Sequence, residues 1–146
     1  MKRFFCLPII LALWVGSSGR ATTLSTGDSV QQSLRTGSAR QLATYFDKSI
    51  ELIIDSEDIE FPSVQATHAE FILKSFFRKY PPRRFQYVYQ GHAAHRRYST
   101  GTYQTGRETF QVYVLMRETT ARTDRNVNPG PSQYRISTLH FRKITE

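Results

Sequence analysis

The chain of 146 residues holds one cysteine, Cys6, and its position matters more than its number. Cys6 lies in an N-terminal apolar run and lacks the Leu-x-x-Cys context of a lipid-modified cysteine. With that run set aside the remainder has no thiol, which excludes disulfides, thiolate metal sites and cysteine nucleophiles. Long apolar stretches are also missing. The run from Phe4 to Val15 is twelve residues interrupted by Pro8, too short to span ~30 Å of hydrocarbon. No nucleophile-elbow motif accompanies the scattered Ser, His and Asp residues, so nothing points to a hydrolase triad. Carboxylates are sparse in the C-terminal strands, where only Glu108 and Glu118 occur. One flanks a hairpin turn and the other a strand end, positions where carboxylates are solvated, so a buried acid pair is not expected. His92-x-x-His95 falls on a turn after Gly91, where no geometry is enforced and no third ligand lies nearby in sequence. It reads as a solvated basic turn, and neither metal nor cofactor is expected. No internal repeat or low-complexity tract is present.

What is present begins with an address. Lys2-Arg3, the apolar run, then Gly16-Ser17-Ser18-Gly19-Arg20-Ala21 have the order of a secretory signal peptide. Residues 1–21 are expected to be removed after Ala21, leaving 22–146 as one exported domain, periplasmic or secreted. A domain of that size buries roughly two thirds of its unfolded surface.

Charge is unevenly spread. The whole chain carries +8, and without Lys2, Arg3 and Arg20 there are 17 basic against 12 acidic side chains. From Thr22 to Glu70 three basic residues (Arg35, Arg40 and Lys48) face eight acidic ones, whereas from Phe71 onward 14 basic face four acidic. The basic half suits anionic lipid headgroups at a membrane surface, acidic glycans or an acidic partner. Nucleic acid is a poor match for an exported protein.

Hydrophobic periodicity gives the fold class. Leu24, Val30 and Leu34 fit a short helix capped near Thr26 or Asp28 and ended by Gly37. Ser38 caps a second, with Ala39, Leu42, Ala43 and Phe46 on one stripe; Asp47-Lys48-Ser49 then reads as a turn. Ile50, Leu52 and Ile54 alternate with Glu51 and Asp55 as a strand. The clearest helix runs from about Val64 to Lys79, capped by Ser63 and stopped by Pro81-Pro82, with Ala69, Ile72, Leu73, Phe76, Phe77 and Tyr80 on a 3.6-residue repeat. Arg78 and Lys79 complement its carbonyl end.

Four strands follow: Phe85 to Gln90, Tyr98 to Tyr103, Thr109 to Arg117 and Tyr134 to Ile144. A short hairpin connection lies at Gln104–Arg107, and a long polar loop at Thr119–Ser132. Ile136, Leu139 and Phe141 break strict alternation, which predicts a bulge in the last strand. The result is an α+β domain with helices over one face of a curved sheet.

Three segments carry a resemblance. Gly37-Ser38-Ala39-Arg40-Gln41-Leu42-Ala43-Thr44-Tyr45-Phe46-Asp47, Ser49-Ile50-Glu51-Leu52, and Ala69 through Pro82 resemble the nuclear transport factor 2-like (NTF2-like) superfamily. Gly101-Thr102-Tyr103, Phe110 to Leu115 and Tyr134 to Phe141 look like strands of its short exported bacterial members, known as domain of unknown function 4783. The resemblance implies a cone: three N-terminal helices laid across a strongly bent antiparallel sheet. In that superfamily the open end serves isomerase or dehydratase chemistry, small-molecule binding or dimerisation, and fold alone does not choose. Its ketosteroid isomerases need an acid pair that this chain does not offer, and no catalytic residue is carried over. Tyr45, Tyr103, His140 and Glu51 are the acid–base candidates an enzyme would require.

Tyr87, Tyr89, Tyr103, Tyr113 and Tyr134, with Phe85 and Phe110, crowd the strand half. Tyrosine offers an apolar ring and an orienting hydroxyl, so Tyr45, Tyr87, Tyr89, Tyr103 and Tyr113 are candidate pocket residues. Arg135 and His140 are placed to meet an anionic head group. The expected function is non-enzymatic binding of a small lipophilic or anionic ligand, or of an envelope partner. The alternative is a homodimer built on the open sheet face.

Overall fold

The structure, a computed structural model, describes residues 25–119 and 133–145. The leader expected at 1–21, Leu24 and the polar segment beyond Thr119 lie outside the described residues. Helix α1 (Thr26–Thr36) starts on a reciprocal capping box. Ser25 Oγ accepts the Asp28 N–H at 3.2 Å, and the Asp28 carboxylate accepts both the N–H and the hydroxyl of Ser25. Val30 and Leu34 point inward, and the helix stops at Gly37. There φ is +67°, and a Cβ would lie 2.9 Å from Pro82 Cδ, so glycine is needed on two counts.

Ser38 caps α2 (Ala39–Ala43), which is shorter than its apolar stripe suggests. Phe46, expected on that helix, instead opens strand β1 (Phe46–Ile54), and Asp47-Lys48-Ser49 is strand rather than turn. The cause is tertiary: Ile136 N–H donates to the Tyr45 carbonyl at 2.7 Å and draws the chain into the sheet early. A 3-10 turn at Asp55–Glu57 reverses it, and Asp58 adopts φ +53°. Strand β2 (Ile59–Gln65) follows, with no counterpart in the sequence reading; only Val64 is buried, and Pro62 is tolerated because β2 is an edge. Helix α3 (Ala66–Lys79) therefore begins after Gln65, not after Ser63, and buries Ala69, Leu73, Phe76 and Phe77.

Strands β3 (Arg84–Ala93), β4 (Arg96–Gln104), β5 (Thr109–Thr119) and β6 (Gln133–Lys143) complete one six-stranded sheet in the order β2-β1-β6-β5-β4-β3. The molecule is α+β with a curved sheet. Two expectations are corrected. The sheet is mixed, since β1 runs parallel to β6 while the other pairings are antiparallel. Nor do three helices precede it, because α3 follows the β1–β2 hairpin. The expected bulge in the last strand is found: Met116 pairs with Ile136 but Leu115 with Thr138, leaving Ser137 extra.

The inner face of the sheet meets α1 and α3 through Phe85, Tyr103, Phe110, Val112, Val114, Leu139 and Phe141. The Phe76 ring lies 4.6 Å from that of Phe141 and 5.3 Å from that of Phe110. Gly101 gives room for this packing, since a Cβ there would stand 2.5 Å from the Phe85 ring. The strand order also sorts charge. Asp47, Glu51, Asp55, Glu57, Asp58 and Glu60 gather towards the β2 edge, whereas Arg84, Arg96, Arg97, Arg107 and Arg117 lie on β3–β5 and their turns.

Candidate functional site

Four of the seven candidate pocket residues serve the scaffold. Tyr103 is fully buried, its ring among Phe76, Phe77, Phe110 and Phe141, and its hydroxyl donates to the Tyr80 carbonyl at the end of α3. Tyr87 donates to the Gly27 carbonyl at 2.8 Å, tying β3 to α1. Burial holds both phenols above the usual tyrosine range, and the Asp28 charge adds to the effect at Tyr87. Tyr45 packs against the core between α2 and β1. Arg135 donates to the carbonyls of Thr44 and Phe46 at 3.2 and 3.3 Å, pinning β6 to the end of α2 rather than meeting a ligand.

The other three lie on the outer face. In β3, Tyr87 pairs with buried Gly101, but Tyr89 pairs with Thr100, so Val88 is an extra residue and alternation flips behind it. Thr100 pairs with Tyr113 and Tyr113 with His140, which places Tyr89, Tyr113 and His140 on the side away from the helices. There His140 Nε2 and Glu51 Oε1 are 2.6 Å apart, both side chains partly exposed, and the Tyr113 ring is 5.6 Å from the imidazole. Of the acid–base candidates the structure thus joins Glu51 to His140. Tyr103 is committed to Tyr80 within the core.

The outer face carries a hollow of about 420 Å³ beside Val88, Thr100, Thr102 and Gln111, and another lies on the inner face where the sheet projects past the start of α1. Ser25 and Gly27 of α1, Gln90 and His92 of β3, and Arg97 and Ser99 of β4 line a cavity of about 380 Å³, with Met116 and Tyr134 contributed by β5 and β6. Counting back in twos from Tyr103 through Gly101 reaches Ser99 and Arg97, so all four share one face. Arg97 pairs with Met116, and Met116 with Ile136, two residues from Tyr134. The Arg97 guanidinium accordingly lies over the Tyr134 ring, 4.0 Å from its centroid. None of the seven residues singled out from sequence lines this mouth. At the hairpin beyond it, His95 Nδ1 sits 2.8 Å from Glu118 Oε2, with His95 at φ +60°.

A further hollow of about 350 Å³ lies between the 3-10 turn, β2 and α3, with Ile54, Ile59, Phe71 and Ile72 among its walls. Phe71 is 70% exposed there. At its rim Glu57 accepts from Lys79 Nζ at 2.8 Å and from the Tyr80 hydroxyl at 3.0 Å. The Lys79 hydrogen bond in particular holds the Glu57 carboxyl below the usual carboxylate range.

Comparison with known proteins agrees with this architecture. A DUF4783 family protein from Bacteroides ovatus ATCC 8483 is 22% identical with a TM-score of 0.65, covering 81% of this chain and 94% of its own. Another from Bacteroides uniformis ATCC 8492 is 20% identical with a TM-score of 0.69, covering 84% and 100% respectively. An NTF-2 like protein of unknown function from Silicibacter pomeroyi DSS-3 is 7% identical with a TM-score of 0.55, covering 81% of this chain and 89% of its own. No curated protein matches. The model of the family described as "Domain of unknown function (DUF4783)" matches residues 27–126, and the chain belongs to that family.

Proposed function

We propose that this protein is an exported, non-enzymatic binding module whose small-molecule ligand occupies the mouth between α1 and strands β3–β6. The observation that carries this reading is the cavity of about 380 Å³ in which a guanidinium is already held on a tyrosine ring. Pockets of a few hundred Å³ with a few convergent polar groups are the usual form of small-molecule sites. Deeper in, the inner face is filled by Tyr103, Phe85, Phe110 and Phe141, so the ligand sits at the rim of the cone rather than in its apex. The Glu51–His140 pair lies on the opposite face of the sheet, which favours binding over acid–base chemistry. Export rests on the order of charge, apolar run and small residues at the N-terminus.

The test is native mass spectrometry of the chain from Thr22, purified from an exporting host without detergent and then denatured to release bound molecules. A discrete adduct on a monomer is the expected result. A ligand-free dimer would overturn it in favour of the second reading, a homodimer through the outer sheet face. One observation favours that alternative: Val88 and Tyr89 are 72% and 56% exposed on the outward side of β3.

A further inference from the structure

We propose that the mouth selects small organic monoanions, a carboxylate or sulfate on a compact apolar body, and that Arg97 and Ser99 are its anion-binding pair. This inference rests on the mouth being the binding site and adds the chemistry that site would recognise. Arg97 presents one face of its guanidinium to Tyr134. A stacked guanidinium keeps its N–H donors around the rim, in the fork that matches two oxygens of a carboxylate or sulfate.

Ser99 supplies the second, independent observation. It is 3% exposed, yet it lines the cavity, and its hydroxyl makes no hydrogen bond among the described residues. Ser56 Oγ is the fully enclosed orphan hydroxyl among the described residues, whereas Ser99 Oγ is open to the cavity and so is free to donate to what the cavity holds. Arg97 and Ser99 stand two residues apart on one face of β4, roughly 7 Å along the strand, a gap the long arginine side chain closes.

The remaining walls fit the same class. The described lining residues include no carboxylate, and the nearest acid on α1, Asp28, is occupied by Ser25 in the capping box. Met116 and the Tyr134 ring supply apolar surface beside the cationic group. A cation would meet Arg97 without compensation, and a neutral molecule would leave its donors unmet.

Three probes of one shape separate the possibilities: benzoate, benzylamine and benzyl alcohol, each titrated into the chain from Thr22 and followed by amide proton–nitrogen NMR. Benzoate is expected to shift the amides around Arg97, Ser99 and Tyr134 saturably, and to bind less tightly as sodium chloride rises. Arg97→Ala should weaken it by about tenfold or more, and Ser99→Ala by about threefold to tenfold. Should Arg97→Ala lose its dispersed spectrum, Arg97→Lys takes its place, keeping the charge but not the fork, and is expected to weaken benzoate severalfold. Equal or tighter binding of benzylamine or benzyl alcohol at the mouth would overturn the anion class while leaving the mouth as the site. Mouth shifts with none of the three would overturn both, and benzoate binding insensitive to Arg97 and Ser99 would remove these residues from the role.

Discussion

One hydroxyl, that of Tyr103, shows how a residue chosen for chemistry can belong to the scaffold. It reaches the carbonyl of Tyr80, the residue that ends α3, and so joins the C-terminal end of β4 to a helix terminus. Tyr103→Phe keeps the ring and strips the donor; the variant is expected to be less stable by about 1–2 kcal/mol. Urea denaturation checks this: the midpoint should fall with an unchanged slope, and an unmoved midpoint would show that the bond contributes nothing. At this scale the sequence revealed that aromatics crowd the strands but not which way each one faces. The pairing of Arg97 with Tyr134 is not legible in sequence because it runs across three strands, and Ser99 is not because a lone serine in a strand carries no signal. Arg135 was drawn into backbone contacts by the end of α2, which no local pattern encodes.

Among elements, legibility follows burial. Helices α1 and α3 and strands β3–β6 carry an apolar stripe or alternating face, and their existence and type are plain from periodicity. Strand β2 buries only Val64 and contains Pro62, so its pattern matches a loop, and it is a strand only because β1 offers an unpaired edge. The bulge at Val88 has the largest consequence for the site, since one extra residue moves Tyr89 to the outer face. Gly101 is the other element-level device. Gly101→Ala would set a methyl group 2.5 Å from the Phe85 ring and 2.8 Å from the Gln86 carbonyl, and both β3 and β4 would have to shift. A loss of about 1–3 kcal/mol is expected. Calorimetry of Gly101→Ala with and without Phe85→Leu checks the cause: the smaller side chain should recover part of the loss, and strict additivity would exclude this contact.

For the whole molecule, alkaline pH should be a point of weakness. A phenol whose folded pKa is raised holds its proton more firmly in the folded state. Its contribution is therefore complete below the unfolded value of 10.0 and erodes as pH climbs above it. Tyr87 and Tyr103 both behave this way, so urea midpoints should decline as pH climbs above about 10, with their two phenolate absorbances appearing only on unfolding. Tyr87→Phe should flatten part of that decline. A flat profile in the parent protein would mean that neither phenol is protected. Glu57 works in the opposite sense: its carboxyl is held below the usual carboxylate range, so its small contribution fades as acid protonates it.

The parallel seam between β1 and β6 also dictates an order of assembly. Phe46 pairs with Ile136 and Ile54 with Phe141, so a seam inside the sheet, two strands from the β2 edge, joins the first described strand to the last. During synthesis, β1–β2 can form one hairpin and β3–β5 a separate meander, but neither is a finished half. Each exposes a bare strand edge until the residues around Leu139 arrive. Closing so long a loop makes the decisive step late and slow, in a chain without a disulfide to hold the parts together. Any stalled or truncated product lacking β6 therefore presents two sticky edges at once, a species that chaperones and proteases are built to recognise.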